Sequence, residues 1–439
     1  MKFGLYQAKE ELPLLPLYDF EAPPLGLLYI ASYLAKYLSF TDFILEVDNI
    51  ENLIEKKPDI IGISSLSVYF DRAIRDGEKI KNNLNIPVII GGPHITILPE
   101  ILPSVFDIGV TGEGEETTLQ LIKLFLQEGN FREEHLQHIE GIVYHGRKGT
   151  VVTPQRDLIE NMDTIPFPER KLFYPLEPTP TLLTSRGCPY KCTFCSPSQY
   201  WRKFRYFSSD YVKAELTHMV EHLEGIPVIT VADDTFVINS ERFDDIYNFI
   251  ISRQINKKVE FHVNIKANVF TEELCRKLKD INVSKVYFGA ESGSQRILDY
   301  YQKGQTVEDN QRVLDLCRKY SIDVTASFIT GAPVETAEDM DRTYGFIDKN
   351  ADKMLNCAVI PLLPLPGTVF WDMAIKKGLI SERGDHIKSD GNFVYMCDHM
   401  MQSKFISYME KFSALIRDKV KKNITLGERL LLELREIEK

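Results

Sequence analysis

Along the first 140 positions, apolar residues follow two alternating rhythms. Short runs at 2–7, 42–47, 59–64, 87–91 and 106–110 predict strands. Between them, apolar positions recur at helical spacing over 24–37, where Leu25, Leu28, Ala31 and Leu34 share a face, and over 71–84 and 115–128. The run D-I-I-G-I-S at 59–64 is almost continuously apolar, as a central parallel strand covered on both faces requires. Strand and helix in alternation predict a doubly wound parallel sheet. Ligands of such sheets sit beyond the carboxyl ends of the strands, at the switch point.

The pattern then changes. Residues 141–144 and 150–153 read as a small hairpin around H-G-R-K-G, and the proline-rich N-M-D-T-I-P-F-P-E-R that follows cannot continue a helix or a central strand. Alternation resumes with strands at 181–184, 227–232, 260–264, 285–289, 323–330 and 356–362, separated by helices near 209–224, 240–254, 271–280, 294–300, 306–320 and 335–350. Six such repeats predict a (β/α) barrel with its functional groups at the carboxyl ends of the strands. The expected α/β chain thus has a Rossmann-like sheet at 1–140, a linker at 141–180, a barrel at 181–370 and a mostly helical extension at 371–439, with a charged tail from 402 onward.

Composition narrows the class. The 439 residues are 44% hydrophobic and 26% charged, enough for two or three ordinary cores. A net charge of −11 argues against general nucleic-acid or membrane-surface binding. No apolar run reaches 18 residues, and the opening M-K-F-G-L-Y-Q-A does not read as a signal peptide. Cys275, Cys317, Cys357 and Cys397 are scattered singly, which fits a reduced, cytoplasmic protein. An auxiliary cluster built on Cys357 and Cys397 is the alternative.

The other three cysteines are not scattered. Cys188, Cys192 and Cys195 fall within R-G-C-P-Y-K-C-T-F-C-S-P, directly after the first barrel strand. Three thiolates suit an iron–sulfur cluster with one iron open to a small molecule. Structural zinc needs four closed ligands, and no nearby Cys or His supplies the fourth. Later strand ends add polar groups. V-A-D-D-T-F supplies Asp233 and Asp234, of which only one can face the mouth, and helix capping is their plainer role. N-I-K-A-N places Lys266 either toward a carboxylate or in solvent. F-G-A-E-S-G-S supplies Glu291, able to accept both hydroxyls of a ribose or to cap the helix near Ser294, with Ser292 beside it. F-I-T-G-A-P supplies Gly331. In the N-terminal sheet the strand ends carry Ser64, Ser65 and Leu66, then Gly91, Gly92, Pro93 and His94, then Gly112, Glu113 and Gly114. Together these suggest a nucleotide-like site, although the G-x-G-x-x-G of a dinucleotide fold is missing after the first strand.

The cysteine spacing, with Phe194 just before the third Cys, resembles the cluster loop of radical S-adenosylmethionine (SAM) enzymes. P-P-L-G-L, S-S-L, G-G-P-H and G-E-G-E resemble the cobalamin-binding domain that precedes many of them. The chain is therefore similar to the cobalamin-dependent radical SAM family, which implies a partial (β/α)6 barrel. The resemblance further implies a 4Fe-4S cluster on Cys188, Cys192 and Cys195, with SAM on the open iron. Its amine would lie near Asp233 and Asp234, its ribose on Glu291, its methionine end near Ser292, and its adenine against Gly331 and Phe194. The ten residues at the N-terminal strand ends would contact cobalamin. D-x-H-x-x-G is absent after the first strand, where Q-A-K-E-E-L-P-L stands, so base-off cobalamin without a protein His ligand is implied and His94 is expected to line the pocket.

As function, the resemblance implies a methyltransferase. It would move a methyl group from SAM via methylcobalamin to an unactivated carbon or phosphorus after hydrogen abstraction by a 5′-deoxyadenosyl radical. A cyclase or rearrangement enzyme using cobalamin without net methylation is the alternative. A small-molecule or peptide substrate and a flavodoxin- or ferredoxin-like electron donor are the expected partners. Methylthio-transferases carry three further cysteines upstream, and residues 1–187 contain none.

Overall fold

β1 (Lys2–Gln7) lies between β2 (Asp42–Val47) and β3 (Ile60–Ser64), parallel to both. These positions come from a computed structural model, which describes residues 1–9, 23–38, 42–47, 49–172, 180–222, 227–381 and 394–420. β4 (Val88–Gly91) and β5 (Ile108–Val110) continue the parallel series in the order β2-β1-β3-β4-β5. Connections leave in opposite directions from β1 and β3, so the switch point opens beyond their carboxyl ends. Ile60, Ile61 and Ile63 are buried, as their uninterrupted apolar run demands.

The hairpin expected in the linker extends this sheet instead. β6 (Ile142–Gly146) pairs antiparallel with β5, and β7 (Gly149–Val152) with β6. Without it, β5 would present a row of unpaired backbone groups. Ile142, Val143 and Tyr144 are buried against the layers on both sides. The proline-rich crossing is then pinned by Arg170, whose Nη2 donates to Glu215 Oε1 at 2.6 Å and to the Thr181 carbonyl at 2.7 Å.

β8 (Thr181–Leu182) begins the second sheet. β9 (Ser185–Arg186) and β10 (Arg205–Tyr206) form an antiparallel ribbon that carries the cysteine loop. β11 (Val228–Val231), β12 (Glu260–Ile265), β13 (Val283–Glu291), β14 (Asp323–Thr330) and β15 (Asn356–Pro361) complete six parallel strands in the order β8-β11-β12-β13-β14-β15. Among the described residues β8 and β15 have no strand partner on their outer sides, so the expected barrel is partial. Helices Ser209–His222, Ser240–Ser252, Glu272–Asp280, Val307–Lys319 and Ala337–Asn350 bury the outer face, with Leu216, Ile246, Leu278, Val313 and Ile347 among the fully enclosed residues.

Helix Gln402–Leu415 packs along β15 and helix Ala337–Asn350: Phe405 closes on Gly331, Tyr408 Oη donates to Asp341 at 2.8 Å and the Phe412 ring lies against that of Tyr344. It widens into a last turn ending at Val420, and the rest of the expected helical tail lies outside the described residues. No helix among the described residues is long and apolar enough to cross a membrane.

Candidate active site at the facing strand ends

The cysteine loop leaves β9 through Gly187, whose φ of +84° and close approach to the Lys203 carbonyl leave no space for a side chain. Cys188, Cys192 and Cys195 are all partly exposed, whereas the four scattered cysteines are buried. Inside the loop the Cys195 amide donates to the Cys192 carbonyl at 3.1 Å, and the Thr193 amide to the Tyr301 carbonyl at 3.0 Å. Among the described residues no three metal-binding side chains converge closely enough for a single ion. A cubane is larger, and its thiolates stand further apart than ligands of one ion. Burial pushes the Cys195 thiol up to about 11 and raises Cys192, which Lys303 and Lys266 oppose, so loading iron must displace protons. The donor set and the nearby cations fit an anionic cluster.

Asp233 sits at the end of β11, 1% exposed, and holds this loop rather than facing the mouth. Its Oδ1 accepts the amides of Thr184 at 2.6 Å and Ser185 at 3.1 Å, and its Oδ2 accepts both hydroxyls, at 2.5 and 2.7 Å. With its carboxylate filled, Asp233 is corrected from SAM contact to anchor. Asp234 is the exposed member of the pair. Surrounding protein and the Asp233 carboxylate nevertheless push its pKa up to about 6. The alternation of an extended segment divided the two as expected.

Glu291 ends β13 at φ +58°, and Gly289 makes room for its carboxylate: a Cβ there would lie 2.0 Å from Glu291 Oε1. Lys303 Nζ donates to Oε1 at 2.6 Å, which leaves Oε2 for a further donor. Burial opposes the Lys303 charge, yet Glu291 and Cys192 hold its pKa above the ordinary range. Lys266 Nζ lies 3.8 Å from the Tyr190 ring centre and donates to the Lys303 carbonyl, so it belongs to the site and not to solvent. Neither lysine was assigned a role from sequence, although Lys303 stands in Y-Q-K-G-Q-T directly after the Glu291 helix.

Ser292 is fully buried, its hydroxyl 3.1 Å from Thr343 Oγ1, so it is corrected from SAM contact to internal bonding. Gly331 has φ +89°, and its Cβ side is closed by Phe405 at 3.2 Å, which leaves only backbone to meet a base. Its amide and that of Ala332 donate to Glu335 Oε2. Burial pushes Glu335 up to about 7 despite those two donors. Phe194 packs edge-on against Tyr301 at 5.2 Å.

Facing this mouth are the ends of the N-terminal strands. Gly92, at φ +108°, passes so close to Ser65 that a Cβ would lie 2.5 Å from its carbonyl oxygen. Leu66 is 46% exposed beside these turns and gives a flat apolar surface. Ser64, Gly91, Pro93 and Gly114 lie in the same turns, and the Gly112 amide is fixed by Thr96 Oγ1 at 2.9 Å. Backbone turns with one exposed aliphatic group fit a large flat cofactor lying on the strand ends. The loop beyond Lys9, on which the missing axial histidine rests, lies outside the described residues.

Three residues expected on that pocket are elsewhere. Ser65 is 1% exposed, and its hydroxyl donates to the Leu66 carbonyl at 3.0 Å. His94 is 1% exposed, its ring 3.9 Å from that of Phe70, so it packs beneath the turn. Glu113 turns toward the barrel. Its Oε1 accepts from Arg186 at 2.6 Å, its Oε2 from Arg205 at 2.8 Å, and the second Arg186 nitrogen reaches Glu115 at 2.5 Å. Tyr200 Oη donates to the Gly112 carbonyl at 3.1 Å. Burial alone would raise the Glu113 pKa, but Arg205 and Arg186 hold it below its ordinary value.

Cys357 lies in the outer core of the barrel, and Cys397 Sγ donates to the Glu335 carbonyl at 3.0 Å. Met396 and Met400 are core residues.

Family models match in two blocks: the Radical SAM superfamily over residues 182–347 and the B12 binding domain over 16–122. An uncharacterized methyltransferase of Pyrococcus horikoshii is 34% identical over 384 residues, 82% of this chain and 80% of the relative. The anaerobic magnesium-protoporphyrin IX monomethyl ester cyclase of Rubrivivax gelatinosus is 29% identical over 73% of this chain, which spans only 61% of that relative. In three dimensions the chain is similar to the radical SAM methyltransferase TsrM of Kitasatospora setae, with a TM-score of 0.73 at 16% identity over 94% of this chain and 89% of that one.

Proposed function

The chain belongs to the cobalamin-dependent radical SAM enzymes, and from that premise we propose that it is a methyltransferase acting on a carbon or phosphorus that no ordinary base activates. The observation that carries this reading is the buried clamp of Arg186 on Glu113 and Glu115, which joins the cysteine loop directly to the strand ends suited to a corrin. When bound, the cluster supplies an electron to SAM and cobalamin relays a methyl group; the protein positions them and excludes competing reactions.

The chain's own residues divide that task. Cys188, Cys192 and Cys195 would hold three irons, and Asp233 fixes the loop that presents them. Lys266 and Lys303 offset negative charge gathered there. Glu291, held by Lys303, presents its remaining oxygen toward a ribose hydroxyl. Gly331, tied to Glu335, offers its backbone to the base. Phe194 and Tyr301 close the apolar side against water. Cobalamin would rest on Leu66 and the turns at Ser64, Gly91–Pro93 and Gly112. A carbon radical that accepts methyl needs no protein base, and none is assigned.

The reductant is assigned to the flavodoxin or ferredoxin class and the compartment to the cytoplasm, where an oxygen-sensitive cluster and lone thiols persist. Anaerobic turnover with SAM, reductant and a small-molecule extract tests the reading. A product heavier by one methyl group, with 5′-deoxyadenosine formed and both lost in Cys192→Ala, supports it; a product of unchanged mass or lacking hydrogens points to the cyclase chemistry of the Rubrivivax relative.

A further inference from the structure

Two lysines reach into the cysteine loop, and each meets an aromatic ring that lies between cysteines. Lys303 Nζ is 5.7 Å from the centre of the Phe194 ring, and Lys266 Nζ is 3.8 Å from that of Tyr190. Tyr190 stands between Cys188 and Cys192, and Phe194 between Cys192 and Cys195. The two cations differ in their counter-charge. Lys303 is paired with Glu291 Oε1 at 2.6 Å. Lys266 has no carboxylate within ion-pair distance among the described residues; its ammonium donates to the Lys303 carbonyl and faces the Tyr190 ring. It is 5% exposed.

A buried charge without a counter-charge is unfavourable. This one is also held in place. Lys266 follows β12 directly, and Arg312 fixes the turn beyond it: Nε donates to the Phe270 carbonyl and Nη2 to the Ala267 carbonyl, both at 3.0 Å. Burial pulls the Lys266 pKa below the ordinary range, and Cys192 opposes that more than Glu291 does. The counter-charge that fits this ammonium is therefore the loaded cysteine loop. Three thiolates outweigh the charge of an oxidised cubane core, so that group is anionic, and one added electron makes it more so. A cation fixed beside it in a low-dielectric site favours the reduced form over the oxidised one. Local charge is one of the levers on a cluster potential.

We infer that Lys266 sets the reduction potential of the cluster: its uncompensated ammonium raises that potential and brings the first electron within reach of a donor of the flavodoxin or ferredoxin class. Lys303, with its charge met by Glu291, contributes less to the potential and holds the carboxylate of the SAM side. Lys191 supplies the contrast, because it is exposed in the same loop and solvent screens its charge. The inference rests on the cluster assignment and not on which group the enzyme transfers.

The test is EPR-monitored redox titration of anaerobically reconstituted full-length protein without SAM, paired with thermal unfolding of the iron-free protein. Relative to the parent, Lys266→Met is expected to lower the cluster potential, Lys266→Arg to leave it nearly unchanged, and Lys191→Met to shift it less than Lys266→Met does. The potential is read on whatever fraction of cluster forms, and Lys266→Gln, which keeps a donor for the Lys303 carbonyl, is expected to shift it in the same direction. In the iron-free protein Lys266→Met removes an uncompensated buried charge, so its unfolding midpoint is expected to be unchanged or raised. An unmoved potential in Lys266→Met overturns the inference, as does an equal shift in Lys191→Met. So does a drop in the iron-free unfolding midpoint, which marks a structural prop, or a loss of SAM affinity with the potential unmoved, which marks a SAM contact. Parent protein that forms no cluster defeats the cluster assignment and the inference with it; a parent with cluster and an unmoved variant defeats only the role of Lys266.

Discussion

Arg186 Nη1 lies 2.6 Å from Glu113 Oε1, with both side chains about 95% buried between the two sheets. Arg186 is two residues before the first cluster cysteine, and Glu113 ends the turn after β5. Arg205 completes the pair from the neighbouring ribbon strand, and the rings of Tyr29 and Trp201 flank the Arg186 guanidinium at 5.2 and 5.5 Å. One cation thus fixes the distance between the cysteine loop and the strand ends opposite it.

Breaking this clamp leaves buried charge unpaired. Glu113→Ala, which leaves Arg205 without its carboxylate and Arg186 with Glu115 alone, is expected to lower stability by about 3–5 kcal/mol, measured by denaturant unfolding. Glu113→Gln retains hydrogen bonds and costs less. In either variant, pulsed EPR should report a broadened distance between reduced cluster and cob(II)alamin; an unchanged, narrow distance would reduce the clamp to general stability.

Asp233 has four donors and Asp234 is exposed. Asp233→Ala leaves two amides and two hydroxyls without their acceptor, a loss of about 2–4 kcal/mol, and iron content after reconstitution should fall with it. Asp234→Ala should retain iron and stability. Equal behaviour of the two variants would contradict the assigned division.

Much of this was legible from residue order. The apolar runs located the strands of both sheets, and the two sheets meet where Glu113, after β5, bonds Arg186 before the cysteine loop. What local pattern does not carry is which partner a polar group meets across the fold. Glu113 and Arg186 are 73 residues apart, and nothing near G-E-G-E says that the first glutamate turns away from the pocket. Ser292 is small and polar, yet Thr343, 51 residues on, claims its hydroxyl. The hairpin at 142–152 looked like a linker because a short two-stranded element does not reveal the sheet edge it completes. Lys303 was visible as a residue but not as a partner, since its contact with Glu291 depends on the chain reversing after helix Gln295–Tyr300.

Lys303 leaves one Glu291 oxygen free. Glu291→Gln is expected to weaken SAM binding about tenfold, the equivalent of one hydrogen bond to a charged group, while iron content stays at the parent level. Calorimetric titration of SAM into both proteins measures it, and an unaltered affinity would remove Glu291 from the SAM pocket.

Glu335 gives a pH signature. Its carboxyl is raised from 4.5 to about 7 by burial, so the folded state retains a proton that the unfolded chain releases. That contribution to stability is complete below about pH 4.5 and is lost as pH rises through 7. Glu335→Gln should flatten the decline between pH 5 and 7.5 in unfolding experiments while preserving the acceptor for the Gly331 amide; a parallel decline in both proteins would show that another group is responsible.

The central claim is that one chain brings an iron–sulfur cluster, SAM and cobalamin to a single mouth. Anaerobic incubation of reconstituted protein with reduced cobalamin and SAM carrying a deuterated methyl group tests it without a substrate. Mass spectrometry of the recovered corrinoid should show the gain of one deuterated methyl group, and added reductant should release 5′-deoxyadenosine from the same protein but not from Cys192→Ala. Recovered corrinoid of unchanged mass, or 5′-deoxyadenosine formed equally by the variant, would contradict the account.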